Sequence, residues 1–248
     1  MKKIDPLSST IKKFIGLLEH PRYSKRFAEN TVPLAIFDLD NTLIAGDSDH
    51  LWGEYLAEQG WVDAQVYRRA NDRFYAAYQN GQLDIHEFLA FSLEPLSAAP
   101  MSVLHQRHAG FMRDKILPIL LPKAQALIQK HQQQGDTLLI ITATNEFVTA
   151  PIAKALGIDH LLATIPEIKQ GRYTGKVAGT PCFQAGKVER LNDWLQQQQQ
   201  SLTDSCFYTD SHNDLPLLRQ VTYPVAVDPD ERLTAIAQEH DWPILSLR

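Results

Sequence analysis

The chain has 248 residues, 44% of them apolar, with a formal net charge of −5 and two cysteines. That supports a substantial core, and the mild negative charge, with no basic block, argues against a nucleic-acid binder. Cys182 and Cys206 are far apart in no metal-ligand spacing, no run reaches the roughly 18 apolar residues of a membrane span, and no signal-peptide pattern follows Lys2 and Lys3; the expected setting is the reducing cytoplasm.

Ile4, Leu7, Ile11, Phe14 and Leu18 fall at helical intervals, with Lys12 and Lys13 between them. This predicts a helical extension over 1–33, either docked on the core or lying on a membrane surface. Leu34 to Phe37 is a short apolar run that stops abruptly at Asp38-Leu39-Asp40, the form of a buried parallel strand. Leu138 to Ile141, Leu161 to Ala163, Cys206 to Tyr208 and Val225 to Val227 repeat that form. Helical patterns over Lys123 to Gln134, Lys187 to Gln198 and Glu231 to His240 separate most of them, so the fold class is α/β, a doubly wound parallel sheet. From Asp47 to Asp114 the pattern is helical throughout and rich in aromatics, and about 70 residues is too long for a loop. The expected organisation is a core over 1–46 and 115–248, with an inserted helical cap over 47–114.

In open α/β sheets the ligand lies at the carboxyl ends of the strands. The first predicted strand ends in Asp38 and Asp40, the second in Thr142, and the fourth in Thr209-Asp210 with Asp214 just beyond. Such a cluster of carboxylates repels itself unless a divalent cation sits within it, and hard oxygen ligands suit Mg²⁺. Lys187, at the start of a predicted helix, adds a positive charge suited to a phosphoryl group. Asp-x-Asp-x-Thr alone is a weak motif; the shared placement at strand ends gives the set its weight.

These residues resemble the haloacid-dehalogenase (HAD) superfamily, in the branch of its phosphatases near phosphoserine phosphatase. Asp38-Leu39-Asp40-Asn41-Thr42, Ile140-Ile141-Thr142, Lys187 and Thr209 to Asp214 match its four motifs, and Gly171 to Gly175 looks like a hairpin of that branch. The resemblance implies that Asp38 is the nucleophile forming an aspartyl-phosphate and that Asp40 is the general acid and then base. It further implies that Asp38, the Asp40 main-chain carbonyl and Asp210 bind Mg²⁺, that Thr142 and Lys187 hold the phosphoryl oxygens, and that Asp214 supports Lys187 or a metal-bound water. An acid at Asp40 points to phosphate-ester hydrolysis, since the dehalogenases and phosphonatases of the superfamily lack one there.

Gly46-Asp47-Ser48-Asp49-His50 follows the first motif. Aligned without gaps, Asp47 falls where phosphoserine phosphatases carry a glutamate that reads the substrate's amino group, and Ser92 where they carry an arginine for its carboxylate. No arginine lies between Arg73 and Arg107. The resulting expectation is a small phosphorylated metabolite bearing an amine, histidinol phosphate or phosphoserine, with Asp47, Asp49 and Trp52 receiving an amine and an imidazole. Asp47 or Ser48 capping the next helix is the plainer role. A lipid-phosphate phosphatase at a membrane surface and a phosphotransferase share the same motifs.

Overall fold

Leu34–Phe37 (β1) forms because four consecutive apolar residues can all be buried between two helical layers, and all four are inaccessible in the computed structural model, which describes residues 32–248. The expected N-terminal helix therefore lies outside the described residues. β1 pairs in parallel with Thr137–Asn145 (β2) on one side and Cys206–Thr209 (β6) on the other, with Phe37 opposite both Ile140 and Tyr208. His160–Thr164 (β3), Tyr223–Val227 (β7) and Ile244–Leu245 (β8) complete a parallel sheet of order β3-β2-β1-β6-β7-β8. Alternate side chains go to opposite faces: Leu34, Ile36, Leu139 and Phe207 join one apolar cluster, Ala35, Phe37, Ile140 and Tyr208 the other.

Four helices leave the core directly after β1: Ser48–Glu58 (α1), Ala64–Gln79 (α2), Ile85–Ser97 (α3) and Met101–Phe111 (α4). Asp47, Asp63 and Asp84 cap the first three, each carboxylate accepting from a first-turn backbone N–H. The chain returns through a π-helical turn at Met112–Ile116 and a 3₁₀ turn at Leu117–Ile119. The two crossings are tied together, with Ala45 N–H donating to the Ile119 carbonyl at 2.9 Å and Ile44 bridging Leu120. Pro122–Gln133 (α5), Glu146–Leu156 (α6), Ala185–Gln198 (α7) and Glu231–Glu239 (α9) flank the sheet, and a short helix Leu215–Leu218 (α8) follows β6.

All five expected strands are present, β1 with the expected bounds and β2, β3, β6 and β7 longer than their apolar runs. β2 continues from Ile141 through Thr142 to Asn145, its pairing with β3 shifting register on the way. β8 was not anticipated, because two residues carry no periodicity. Pro166–Lys169 (β4) and Arg172–Val177 (β5) form the expected hairpin. Its turn, Gln170-Gly171, has φ of 51° and 73°, the double positive φ that a tight hairpin turn requires. β5 lies against α3.

Candidate active site

β1 ends where its backbone is still held by the sheet: Asp38 N–H donates to the Tyr208 carbonyl at 2.8 Å. The chain then coils tightly, with Leu43 N–H returning to the Leu39 carbonyl at 2.9 Å and Asn41 at φ 55°, a conformation Asn tolerates better than most residues. This coil aims Asp38 and Asp40 into the same space.

Lys187 reaches that space from the first turn of α7. Its Nζ donates to Asp38 Oδ1 at 2.9 Å and stands 2.8 and 2.9 Å from the two Asp214 oxygens, with all three side chains at most 5% exposed. Gly186 permits this seat, since a Cβ there would lie 2.0 Å from the Pro181 carbonyl oxygen. Burial works against a charge on Lys187, but Asp214 and Asp38 together outweigh it and hold the ammonium well above its usual range. Thr209 Oγ1 also donates to Asp214, at 2.8 Å.

Asp40 is held differently. Its Oδ1 accepts the Ser48 backbone N–H at 2.6 Å, and its Oδ2 accepts Thr144 Oγ1 at 2.9 Å and Thr142 Oγ1 at 3.4 Å. Asp210 shares a two-way contact with Thr42: Asp210 N–H donates to Thr42 Oγ1 at 3.1 Å, and that hydroxyl donates to Asp210 Oδ1 at 3.3 Å.

Burial pushes the Asp38 carboxyl up to about 7, with Lys187 opposing and Asp214 and Asp40 adding to the rise. Asp40 is pushed up to about 6 by burial and by Asp47, against its hydrogen bonds from Ser48 and Thr144. Asp210 is driven well above the carboxylate range by burial and the charges of Asp38 and Asp214. Four buried carboxylates thus share this region with one lysine, which is paired with two of them. The nearby donors are all hard oxygens, and the excess of negative charge fits a divalent cation of the oxygen-loving kind. A separate trio on the inserted helices, His50, Glu54 and Asp72, brings one ligand atom each within 4.8 Å of one another, with Asp72 exposed.

The site opens into a cavity with about 570 Å³ of space not filled by protein, part of it open to solvent. Of the residues singled out in the sequence, Asp38, Asp40, Asp47, Asp49, Thr142 and Lys187 line it. Asp47 uses one oxygen to cap α1, accepting His50 N–H at 2.8 Å, so the capping role is real and occupies only part of the carboxylate. Burial raises both Asp47 and Asp49, Asp49 the more strongly, helped by Asp47 and Asp40.

Trp52 does not belong with them. Its ring is 1% exposed and packs against Phe111 (centroids 5.1 Å apart), Phe147 (5.6 Å) and His108 (5.8 Å), away from the cavity lining. Three residues beyond Asp49 on a helix, it points toward the core and joins the insertion to α6. Ser92 is likewise buried and outside the lining; α3 offers Ile85 and Phe88 to the cavity instead.

Sequence reasoning missed the far wall: Phe74, Tyr75 and Tyr78 from α2, with Phe88 from α3. It also missed Thr144, for which a signal existed, since residues two apart on a strand share a face and Thr142 already pointed at the site. The insertion is seated on the core near this wall, with Asn213 Nδ2 donating to the Tyr78 carbonyl at 3.3 Å and Arg232 to the Asn80 carbonyl at 3.2 Å.

Comparison with known proteins follows the same lines. Residues 35–219 match the family model of haloacid dehalogenase-like hydrolases. The chain is 47% identical over 219 residues to a histidinol-phosphatase of Neisseria meningitidis serogroup C, covering 87% of this chain and 99% of that protein. It is 31% identical over 222 residues to a phosphoserine phosphatase of Mycobacterium tuberculosis, covering 86% and 70%. A crystal structure of a protein of unknown function from Bordetella pertussis Tohama I superposes with a TM-score of 0.84 at 44% identity, covering 88% of this chain and all of that one. A substrate-bound phosphoserine phosphatase superposes at 0.65 with 17% identity, over 89% and 95%, and so shares the fold. No helix among the described residues is long and apolar enough to cross a membrane. The chain belongs to the haloacid dehalogenase-like hydrolases, as a phosphoric monoester hydrolase similar to phosphoserine phosphatases and histidinol phosphatases.

Proposed function

We propose that the protein hydrolyses a small amine-bearing phosphate monoester, histidinol phosphate above phosphoserine, through an aspartyl-phosphate on Asp38. The observation that carries the substrate reading is the charge of the cavity. Asp38, Asp40, Asp47 and Asp49 line it, and Lys187, the one Lys or Arg among the lining residues, is already paired with Asp38 and Asp214. A substrate carboxylate would enter without a bidentate cationic partner, which is costly in a buried site, whereas an ammonium would meet acids. The 47% identity to a protein named histidinol-phosphatase supports the same choice.

In this reading an Asp38 oxygen attacks phosphorus in line with the ester oxygen. The departing alkoxide takes a proton from Asp40, whose carboxyl, pushed up to about 6, can hold one. Asp40 then accepts a proton from the water that attacks the aspartyl-phosphate, releasing inorganic phosphate and restoring Asp38. Thr142 Oγ1 and Lys187 Nζ hold phosphoryl oxygens, while Asp214 fixes Lys187 in place. Mg²⁺, held by Asp38, the Asp40 main-chain carbonyl and Asp210, would neutralise phosphoryl charge during transfer. The inserted helices limit entry to small esters, and a cytoplasmic setting suits such a metabolite.

The test is phosphate release, with Mg²⁺, from histidinol phosphate, phosphoserine and p-nitrophenyl phosphate in parallel. Histidinol phosphate is expected to give the highest kcat/KM, with Asp38→Asn and excess chelator each abolishing turnover. Retained turnover in Asp38→Asn would overturn the mechanism, and equal use of histidinol phosphate and phosphoserine would overturn the substrate choice.

A further inference from the structure

Thr144 is 5% exposed, lines the cavity, and stands two residues beyond Thr142 on β2. A buried hydroxyl most often settles on a main-chain group. Its neighbours do so: Thr164 Oγ1 donates to the Ala143 carbonyl at 2.8 Å, and Thr149 Oγ1 to the Asn145 carbonyl at 3.0 Å. The Thr144 hydroxyl instead has one partner among the described residues, Asp40 Oδ2 at 2.9 Å. Its backbone is held from both sides. The Thr164 bond pins the residue before it, and Asn145, the residue after it, caps α6 by accepting Val148 N–H at 3.2 Å. Between Ile141 and Asn145 the pairing of β2 with β3 shifts register, an irregularity of the kind that re-aims a side chain beside a site.

The two oxygens of Asp40 face different kinds of partner. Oδ1 accepts the Ser48 main-chain N–H at 2.6 Å, a group that can only donate. A proton on Oδ1 would weaken it as an acceptor and leave that N–H poorly paired. Oδ2 faces hydroxyls, which can turn to suit either the acid or the carboxylate. The proton of neutral Asp40 therefore belongs on Oδ2. Of the two hydroxyls there, Thr142 Oγ1 is 3.4 Å away, already accepts Thr144 N–H at 3.2 Å, and is assigned above to a phosphoryl oxygen. Thr144 is the nearer one and is free of other duties.

We propose that Thr144 is the positioning residue for the leaving-group proton, keeping Asp40 Oδ2 directed at the ester oxygen and stabilising the carboxylate that proton transfer leaves behind. This rests on the reading of Asp40 as general acid. In that step the P–O bond breaks and its electron pair stays with the ester oxygen, which takes the proton from Asp40 Oδ2. The Thr144 hydroxyl, keeping its own proton, donates to Oδ2 as negative charge builds there.

The experiment compares kcat/KM, which covers the steps through departure of the alcohol, for two esters with Mg²⁺. One is p-nitrophenyl phosphate, whose stable phenolate leaves without a proton. The other is histidinol phosphate, or whichever alkyl ester the wild type turns over fastest, whose alkoxide needs one. Thr144→Val and Thr144→Ala are each expected to lower the alkyl-to-aryl ratio at least about tenfold, a part of the roughly 10²–10⁴-fold that a positioned general acid supplies. Thr144→Ser, which keeps the hydroxyl, should restore the wild-type ratio. Equal losses on the two esters in Thr144→Val and Thr144→Ala, or a selective loss that Thr144→Ser does not reverse, overturns the proposal. Asp40→Asn separates the two levels. Equal losses there remove the acid role of Asp40 and that of Thr144 with it, whereas a selective loss confined to Asp40→Asn leaves Asp40 standing and removes Thr144.

Discussion

Lys187→Met removes the one cation in the acidic cluster while keeping most of the side chain's length. Its Nζ is 2.9 Å from Asp38 Oδ1 and 2.8 Å from Asp214 Oδ1, in side chains no more than 5% exposed. Removing one partner of a buried ion pair costs about 3–5 kcal/mol, because the stranded charge cannot be hydrated. Here the stranded groups have an escape, since a carboxylate can take up a proton. Lys187 is the chief influence holding Asp38 down against burial, so its loss moves that carboxyl further above about 7. The destabilisation should therefore depend on pH, near the full 3–5 kcal/mol at pH 8 and about 1.4 kcal/mol smaller at pH 5.5, because from about pH 7 to 8 the variant's carboxyl keeps a proton that the wild type releases. Urea unfolding in chelator at the two pH values, with equal slopes, reads the difference from the midpoints. With Mg²⁺ restored, kcat should drop roughly 10²–10³-fold, the usual effect of deleting one donor to a developing oxyanion. An equal stability loss at both pH values would refute the account, since it would mean that packing and not charge is what Lys187 supplies.

Metal-free enzyme should lose stability as pH rises from about 4 to about 7. Asp40 and Asp38 have folded values of about 6 and about 7, above the unfolded 3.8, so the native state binds the extra protons in that window. Asp40 alone contributes on the order of 3 kcal/mol, two units at about 1.36 kcal/mol each. The stability of Asp40→Asn relative to wild type should rise by that order across the window; a flat difference in thermal unfolding would contradict the shift. Trp52→Ala should destabilise the fold by about 3–5 kcal/mol, and Trp52→Phe should leave the ranking of substrates untouched; a changed ranking would return the ring to the substrate's path. Gly186→Ala should cost about 1–3 kcal/mol or more and depress kcat, because the new methyl meets the Pro181 carbonyl beside Lys187. Wild-type kinetics in that variant would show that the segment before α7 has slack.

The core of the site was legible because it is written in short, local signals. An apolar run that breaks at polar residues marks the end of a buried stretch of strand wherever it falls: Asp38 and Asp210 directly follow β1 and β6, and Thr142 follows the apolar part of β2. Parallel pairing in register, Phe37 beside Ile140 and Tyr208, then brings those ends together with no further information. The wall of the cavity was not legible for the opposite reason. In an aromatic-rich helical insertion, Trp52 and Phe88 look alike, and only the packing of α1 to α3 sends one into the core and the other to the cavity. The expectation for Trp52 failed there, while the neighbouring expectation for Asp49 coincided with a cavity-lining position, because a buried acid has fewer places to go than a buried ring.

Position in the chain also links access to chemistry. Ser48, the first residue of α1, lies only eight positions beyond Asp40, and its N–H closes back on Asp40 Oδ1 at 2.6 Å. That bond favours the charged carboxylate, while burial and Asp47, from the same short segment, favour the protonated one. The proton affinity of Asp40 is therefore a balance struck by the residues that attach the insertion to the core. Any movement of α1 away from the sheet lengthens the Ser48 bond and admits water to Asp40 together, removing an influence of each sign. A substitution confined to 45–48 should consequently shift the pH profile of turnover even where no side chain at those positions touches the substrate.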